Sequence, residues 1–293
     1  RLVEADSLVS DFVALYPDLD AEALRYRQAE FRLQSGDTQG GISSLETQLE
    51  RPGVTLQQRA EIGLTLARAY AAEGRVDDAI EQLTALLDDL PEGASTAANR
   101  FTASAELGRL YLNAGRFAEA RDTFEALELD APDTQSVLAA RIGQAAALAG
   151  LGRTSDAAEL YQTVVDAGGP AGEQALLGLA KVYDDDAQSD SAVQTYGRLL
   201  EARDAAVRAE ATVRLGVLYH ELADHNRALS VLDGVDQRFS AFPMLVAEGL
   251  LTTARAYREL GLDDQAESRY RRVATDFDGT PYAAAARAEQ PGL

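Results

Sequence analysis

Apolar and small residues recur along this chain at intervals that fit a pair of helices, repeated many times. The segment from Ala60 to Gly93 sets the template, with Ala60 as place one. It carries Ala67 at place eight, Tyr70 at eleven, Gly74 at fifteen, Ala79 at twenty, Leu83 at twenty-four and Pro91 at thirty-two. The template fits again from Phe101, Leu138, Glu173, Ala209 and Ala247, with steps of 41, 37, 35, 36 and 38 residues between starts. Only the connections change length.

The columns are strict. Place eight is small in every copy: Ala67, Gly108, Ala145, Ala180, Gly216 and Ala254. Place eleven is Tyr70, Tyr111, Leu148, Tyr183, Tyr219 and Tyr257, and place twenty is alanine throughout, from Ala79 to Ala266. Place twenty-four is Leu83, Phe124, Tyr161, Tyr196, Leu232 and Tyr270, and the turn place reads Gly74, Gly115, Gly152, Ala187, Ala223 and Gly261. Places four, seven, eight and eleven share one face of a 3.6-residue helix. The pattern predicts two antiparallel helices per unit, close where both carry small residues and joined by a turn suited to glycine. One such pair cannot bury enough surface alone, so units must stack.

These columns resemble the tetratricopeptide repeat, with its small, Tyr, Ala and Pro positions over 34 residues. The resemblance spans essentially the whole chain. It implies an all-α fold, a right-handed superhelical α-solenoid of antiparallel helix pairs. Six clear repeats are expected, at 60–93, 101–134, 138–171, 173–206, 209–242 and 247–280, within a single solenoid over residues 1–293. Place twenty-seven departs from the family's alanine, reading Leu86, Leu127, Val164, Leu199, Val235 and Val273, and so predicts wider spacing between units. Residues 21–55 resemble a degenerate repeat with Leu24, Phe31, Gly36 and Leu45 roughly in place. Residues 1–19 read as a half repeat with Ala5, Val9, Phe12 and Pro17, and 281–293 as a terminal helix or cap. A chain opening with Arg1 in mid-repeat is expected to be a fragment or a processed product. Connections such as YPDLDAEAL and TDFDGTPYAAAARAE are similar in style to bacterial cell-envelope members of the family, which act as scaffolds.

Composition narrows the chemistry. There are no cysteines and only two histidines, so thiolate chemistry is excluded and imidazole chemistry has little material. No apolar run approaches the roughly 20 residues of a membrane helix. The 27 basic and 48 acidic residues give a net charge of −21, which argues against nucleic acid and anionic lipid as partners. Lys181 is the only lysine, and Asp outnumbers Glu by 26 to 22. A GC-rich genome would explain the missing lysine but not the net charge, so a salt-adapted source is expected.

Three motifs invite a chemical reading and fail it. His220 and His225 are five apart, about 140° round an ideal helix, where the zinc protease motif needs four. Asp184, Asp185, Asp186 and Asp190 resemble a calcium loop, but Ser189 and Thr195 stand where that loop needs Gly and Glu. Gly150-Leu151-Gly152 lacks the strand that a phosphate loop requires. No metal, no cofactor and no enzyme activity are expected.

The candidate site is the inner face of the first helices. In the family, places two, five, nine, twelve and thirteen line the concave groove. Place five holds Leu64, Ala105, Ile142, Leu177, Val213 and Leu251. Place nine holds Arg68, Arg109, Lys181 and Arg255 among its six residues, with no acid. Such a groove would take a protein or peptide partner with aliphatic and acidic residues. The plainer alternative is that glutamates such as Glu61, Glu210 and Glu248 at place two neutralise those cations. The family's chaperone carboxylate clamp is absent, because its asparagines at places nine and six are missing. The expected function is a non-catalytic scaffold in the cell envelope or periplasm. The alternatives are a regulatory or targeting module of a larger enzyme or signalling protein, and a homo-oligomer formed by end-to-end stacking of repeats; the alternative location is cytoplasmic.

Overall fold

The computed structural model describes residues 8, 11–12, 15–16, 21–93 and 96–290. The half repeat expected over 1–19 falls largely outside them. The described residues form helices in consecutive packed pairs and no strand. The chain divides into two compact units, Arg1–Leu151 and Gly152–Leu293.

The first unit contains α1 (Ala21–Gln34), α2 (Thr38–Leu49), α3 (Leu56–Ala72), α4 (Val76–Asp89), α5 (Ala97–Asn113), α6 (Phe117–Leu129) and α7 (Thr134–Gly150). Each helix packs on the next, and α1, α3, α5 and α7 also pack on one another in turn. The second unit contains α8 (Thr154–Ala167), α9 (Gly169–Asp185), α10 (Ser189–Arg198) with a 3-10 turn over Leu199–Glu201, and α11 (Ala205–Glu221). It continues with α12 (His225–Leu232), α13 (Val235–Arg238), α14 (Pro243–Glu259), α15 (Asp263–Asp276) and α16 (Pro281–Glu289). Here α9, α11, α14 and α16 pack in the same stepwise way.

Each of the six first helices, α3, α5, α7, α9, α11 and α14, is 17 residues long. Each begins four residues before the template's first place, because the start signals lie there. Thr55 and Gln58 form a reciprocal capping box ahead of α3, Asp133 caps α7, and Asp204 caps α11. Proline occupies the first turn of α9, α14 and α16, where its missing N–H costs nothing.

One turn joins the two helices of every unit. A residue at positive φ is followed by an N-cap residue with φ between −84° and −95° and ψ between 59° and 66°. In the turns at Gly36, Gly74, Gly115, Ala187, Ala223 and Gly261 the N-cap N–H donates to the carbonyl five residues back, as Arg75 does to Tyr70 at 2.9 Å and Gln188 to Tyr183 at 2.8 Å. This is the Schellman arrangement, and it explains glycine at place fifteen. Arg75 and Arg116 lay their guanidiniums over Tyr70 and Tyr111, 4.3 and 4.6 Å from the ring centroids. Ala187 and Ala223 take the left-handed position at φ 55° and 59°.

The small columns close the packing. The place-twenty alanines are 0–3% exposed, and a Cβ on Gly108 would stand 2.7 Å from Phe124. The large residues of place twenty-four also reach the next first helix. Phe124 lies against Gly143 and Tyr161 against Gly178, so closely that a Cβ would fall at 2.5 and 2.4 Å. At place twenty-seven the bulk is met by glycine, Leu86 by Gly63 and Val235 by Gly249.

Candidate functional site

In the first unit, Arg68 is carried by α3 and Arg109 by α5, both at place nine. Arg68 Nε donates to Glu106 Oε1 at 2.8 Å, and its Nη2 bonds the same oxygen. Glu106 stands at place six of α5, so the bond joins two consecutive first helices. Arg109 is exposed and, among the described residues, has no ion pair or hydrogen-bond partner. Ala105 and Leu112, one turn before and after it on α5, are half-buried, and so are Ile142 and Ala146 on α7. Leu64 is buried at 7% exposure.

In the second unit, Lys181 on α9 pairs with Glu210 on α11 at 2.6 Å. Arg255 on α14 donates through Nε to both carboxylate oxygens of Glu289 on α16, each at 3.1 Å. The Tyr270 hydroxyl donates to the same carboxylate at 3.0 Å. The Arg255 hydrogen bonds hold the Glu289 carboxyl below the usual carboxylate range, against the opposing effect of burial. Glu248 accepts from Tyr282 at 3.3 Å and faces Arg214 at 3.7 Å. The place-five residues Leu177, Val213 and Leu251 are 8, 0 and 3% exposed. Consecutive first helices pack over them, so they are core contacts before they are ligand contacts.

Three of the four place-nine cations therefore meet an acid on the neighbouring first helix or the terminal helix. Lys181–Glu210 follows the place-two pairing considered from sequence. Glu106 at place six and Glu289 on the terminal helix lie outside the place-two column from which the neutralising glutamates are expected. Glu61 instead accepts from Gln57 within its own helix at 2.8 Å.

The other motifs are built into turns. His220 lies in the last turn of α11 and His225 begins α12, across the Ala223 turn, with their Nδ1 atoms 3.1 Å apart. Among the described residues no three His, Asp or Glu side chains are grouped as a metal site. Asp184 lies in the last turn of α9 beneath the Tyr196 hydroxyl at 3.4 Å, and Asp190 in the first turn of α10. Burial is the largest cause of a raised Asp184 pKa, with Glu221 and Asp185 adding to it. Gly150 and Gly152 flank the end of a helix, and Gly152 takes φ 74° as the turn residue. Among the described residues no helix is long and apolar enough to cross a membrane.

Family models for the tetratricopeptide repeat match residues 64–136, 105–172 and 142–187, and a second such model matches 174–203. The chain is a tetratricopeptide repeat protein. The shared turn and the small place-eight and place-twenty columns are how this tetratricopeptide repeat protein builds each unit. No curated protein sequence matches it. Among solved structures it is similar to a tetratricopeptide repeat protein from Parabacteroides merdae, at 14% identity and TM-score 0.64, over 91% of this chain and 96% of that one. It is similar to PilW, a type IV pilus biogenesis factor, at 17% identity and TM-score 0.58, over 78% of this chain and 98% of that one. A Rap protein complexed with competence and sporulation factor matches at 16% identity and TM-score 0.52, over 96% of this chain and 81% of that one. At these identities the likeness is one of fold.

Proposed function

We propose that this protein is a non-catalytic scaffold whose first-helix faces hold a peptide or protein partner, and that it works in the bacterial cell envelope. Arg109 carries the reading. It is an exposed cation without an acid partner among the described residues of a chain with 48 acids, and it stands among half-buried apolar side chains. Ala105, Arg109 and Leu112 are at places five, nine and twelve of one helix and so share a face. A guanidinium beside such a surface suits a segment with an aliphatic anchor next to a carboxylate. Arg68, Lys181 and Arg255 act as a second tier, since a partner's acid must first displace Glu106, Glu210 or Glu289. Likeness of fold to PilW supports the envelope, and likeness to a Rap protein in complex with competence and sporulation factor supports a bound peptide or protein.

The test is affinity capture from a bacterial envelope fraction. The parent chain is compared with Arg109→Glu and with a variant also carrying Arg68→Glu, Lys181→Glu and Arg255→Glu. A partner retained by the parent and lost from a still-folded Arg109→Glu supports the reading. The same partners on all three chains would overturn it.

A further inference from the structure

Among the described residues, four arginines have a guanidinium with neither an ion pair nor a hydrogen bond: Arg109, Arg198, Arg203 and Arg269. With acids outnumbering bases by 48 to 27, potential partners are abundant, so an unpaired guanidinium needs a reason. Arg198 and Arg203 line one cleft in the second unit, of about 640 Å³. That is within the range of small-ligand sites, roughly 300–1,000 Å³.

The cleft forms where the α8–α9 connection faces the segment that leads from α10 to α11. Val165, Pro170 and Leu176 give it an apolar wall. Two acids also line it, Glu173 with both carboxylate oxygens engaged by backbone and Asp204 with its Oδ1. Glu173 accepts the backbone N–H of Arg203 at 3.0 Å and of Asp204 at 3.1 Å, one on each oxygen. Asp204 in turn accepts the N–H groups of Ala206 and Val207 at the start of α11. Those backbone bonds hold the Glu173 carboxyl below the usual carboxylate range. Both acids brace the backbone, Glu173 also faces the charge of Arg203, and neither guanidinium makes a hydrogen bond.

We propose that this cleft binds a carboxylate carried on an aliphatic body. The planar guanidinium forks match a carboxylate's two oxygens, and the Val165–Pro170–Leu176 wall takes the apolar part. The same chemistry is offered by a free small organic acid and by the C-terminal residue of a peptide. The cleft lies at the connections between helices rather than on the inner face, so it stands whether or not the partner-binding reading holds.

The experiment is calorimetric titration of the whole chain at fixed low ionic strength, with probes up to about 5 mM. The probes are N-acetyl-leucine and an acetylated tetrapeptide ending in leucine, each beside its C-terminal amide, together with inorganic phosphate. At least one acid should bind, its amide at least tenfold more weakly. Arg198→Gln and Arg203→Gln should each weaken binding roughly tenfold, while Arg269→Gln, remote from the cleft, leaves it unchanged. Arg198 and Arg203 are exposed and Arg269 is half-buried, and matching circular dichroism checks the fold. Tighter binding of the tetrapeptide assigns a peptide end, and tighter binding of N-acetyl-leucine a free acid. The proposal is overturned if neither acid binds, if the amides bind equally well, or if the Arg198 and Arg203 variants bind as the parent does. Phosphate binding as tightly as the acids would remove the role of the apolar wall.

Discussion

Lys181, the only lysine of the chain, sets its ammonium 2.6 Å from Glu210 on the following first helix. The pair is part-exposed, with the two side chains 43% and 29% accessible, so water screens much of its attraction. Lys181→Met and Glu210→Gln should each change stability by less than about 0.5 kcal/mol. Urea unfolding midpoints check this. A loss of several times that size would make the pair structural and remove Lys181 from the binding face.

Gly178 admits Tyr161, and a Cβ there would stand 2.4 Å from the ring. Gly178→Ala should cost about 1–3 kcal/mol through overpacking. Adding Tyr161→Leu should recover part of that loss, because the ring is what the methyl strikes. Thermal unfolding of the two single variants and the double variant measures the coupling. Additive losses would mean that ring and glycine do not meet.

Ala187 and Ala223 hold the left-handed turn position that glycine fills in the other copies. The penalty for a Cβ there is about 1–2 kcal/mol, partly offset by the greater chain entropy of glycine when unfolded. Ala187→Gly and Ala223→Gly should each stabilise by about 0.5 kcal/mol, read as a rise in the chemical denaturation midpoint.

His220 lies below the ordinary histidine value of 6.5, first because it is half-buried and then because His225 and Arg255 face it. Its neighbours also include Glu259, which opposes the shift, and Arg258. A folded-state value below the unfolded one means that protonation favours unfolding. Stability should be level above about pH 7 and fall as pH drops through about 6.5. His220→Gln should flatten that step. An unchanged step in the variant would place its origin elsewhere.

The net charge of −21 predicts that melting rises with added salt, as self-repulsion is screened. A scan in potassium chloride reads it directly. A midpoint that stays level or falls would remove the salt-adapted reading.

The helix pairs were legible because their signal is local. Small residues at fixed places, a turn glycine and an alternation of faces all lie within one 34-residue window. Pairing between copies was less so. Glu106 and Glu289 answer place-nine cations from places six and five of the next helix, a register that no single copy contains. Likewise, a helical wheel puts Leu177 and Val213 on the inner face without showing that the next helix covers them. Arg198 and Arg203 were invisible as a pair because their cleft needs residues from two different connections.

The ring of Tyr161 against Gly178, and of Phe124 against Gly143, has a bearing on how such an array can be rebuilt. Each contact is a plug on one copy and a socket on its successor. The copies therefore cannot be shuffled or duplicated freely. A rearranged chain would put Tyr161 before a copy with Glu106 or Arg214 at the socket position, and stability would then depend on the order of copies as well as on their number.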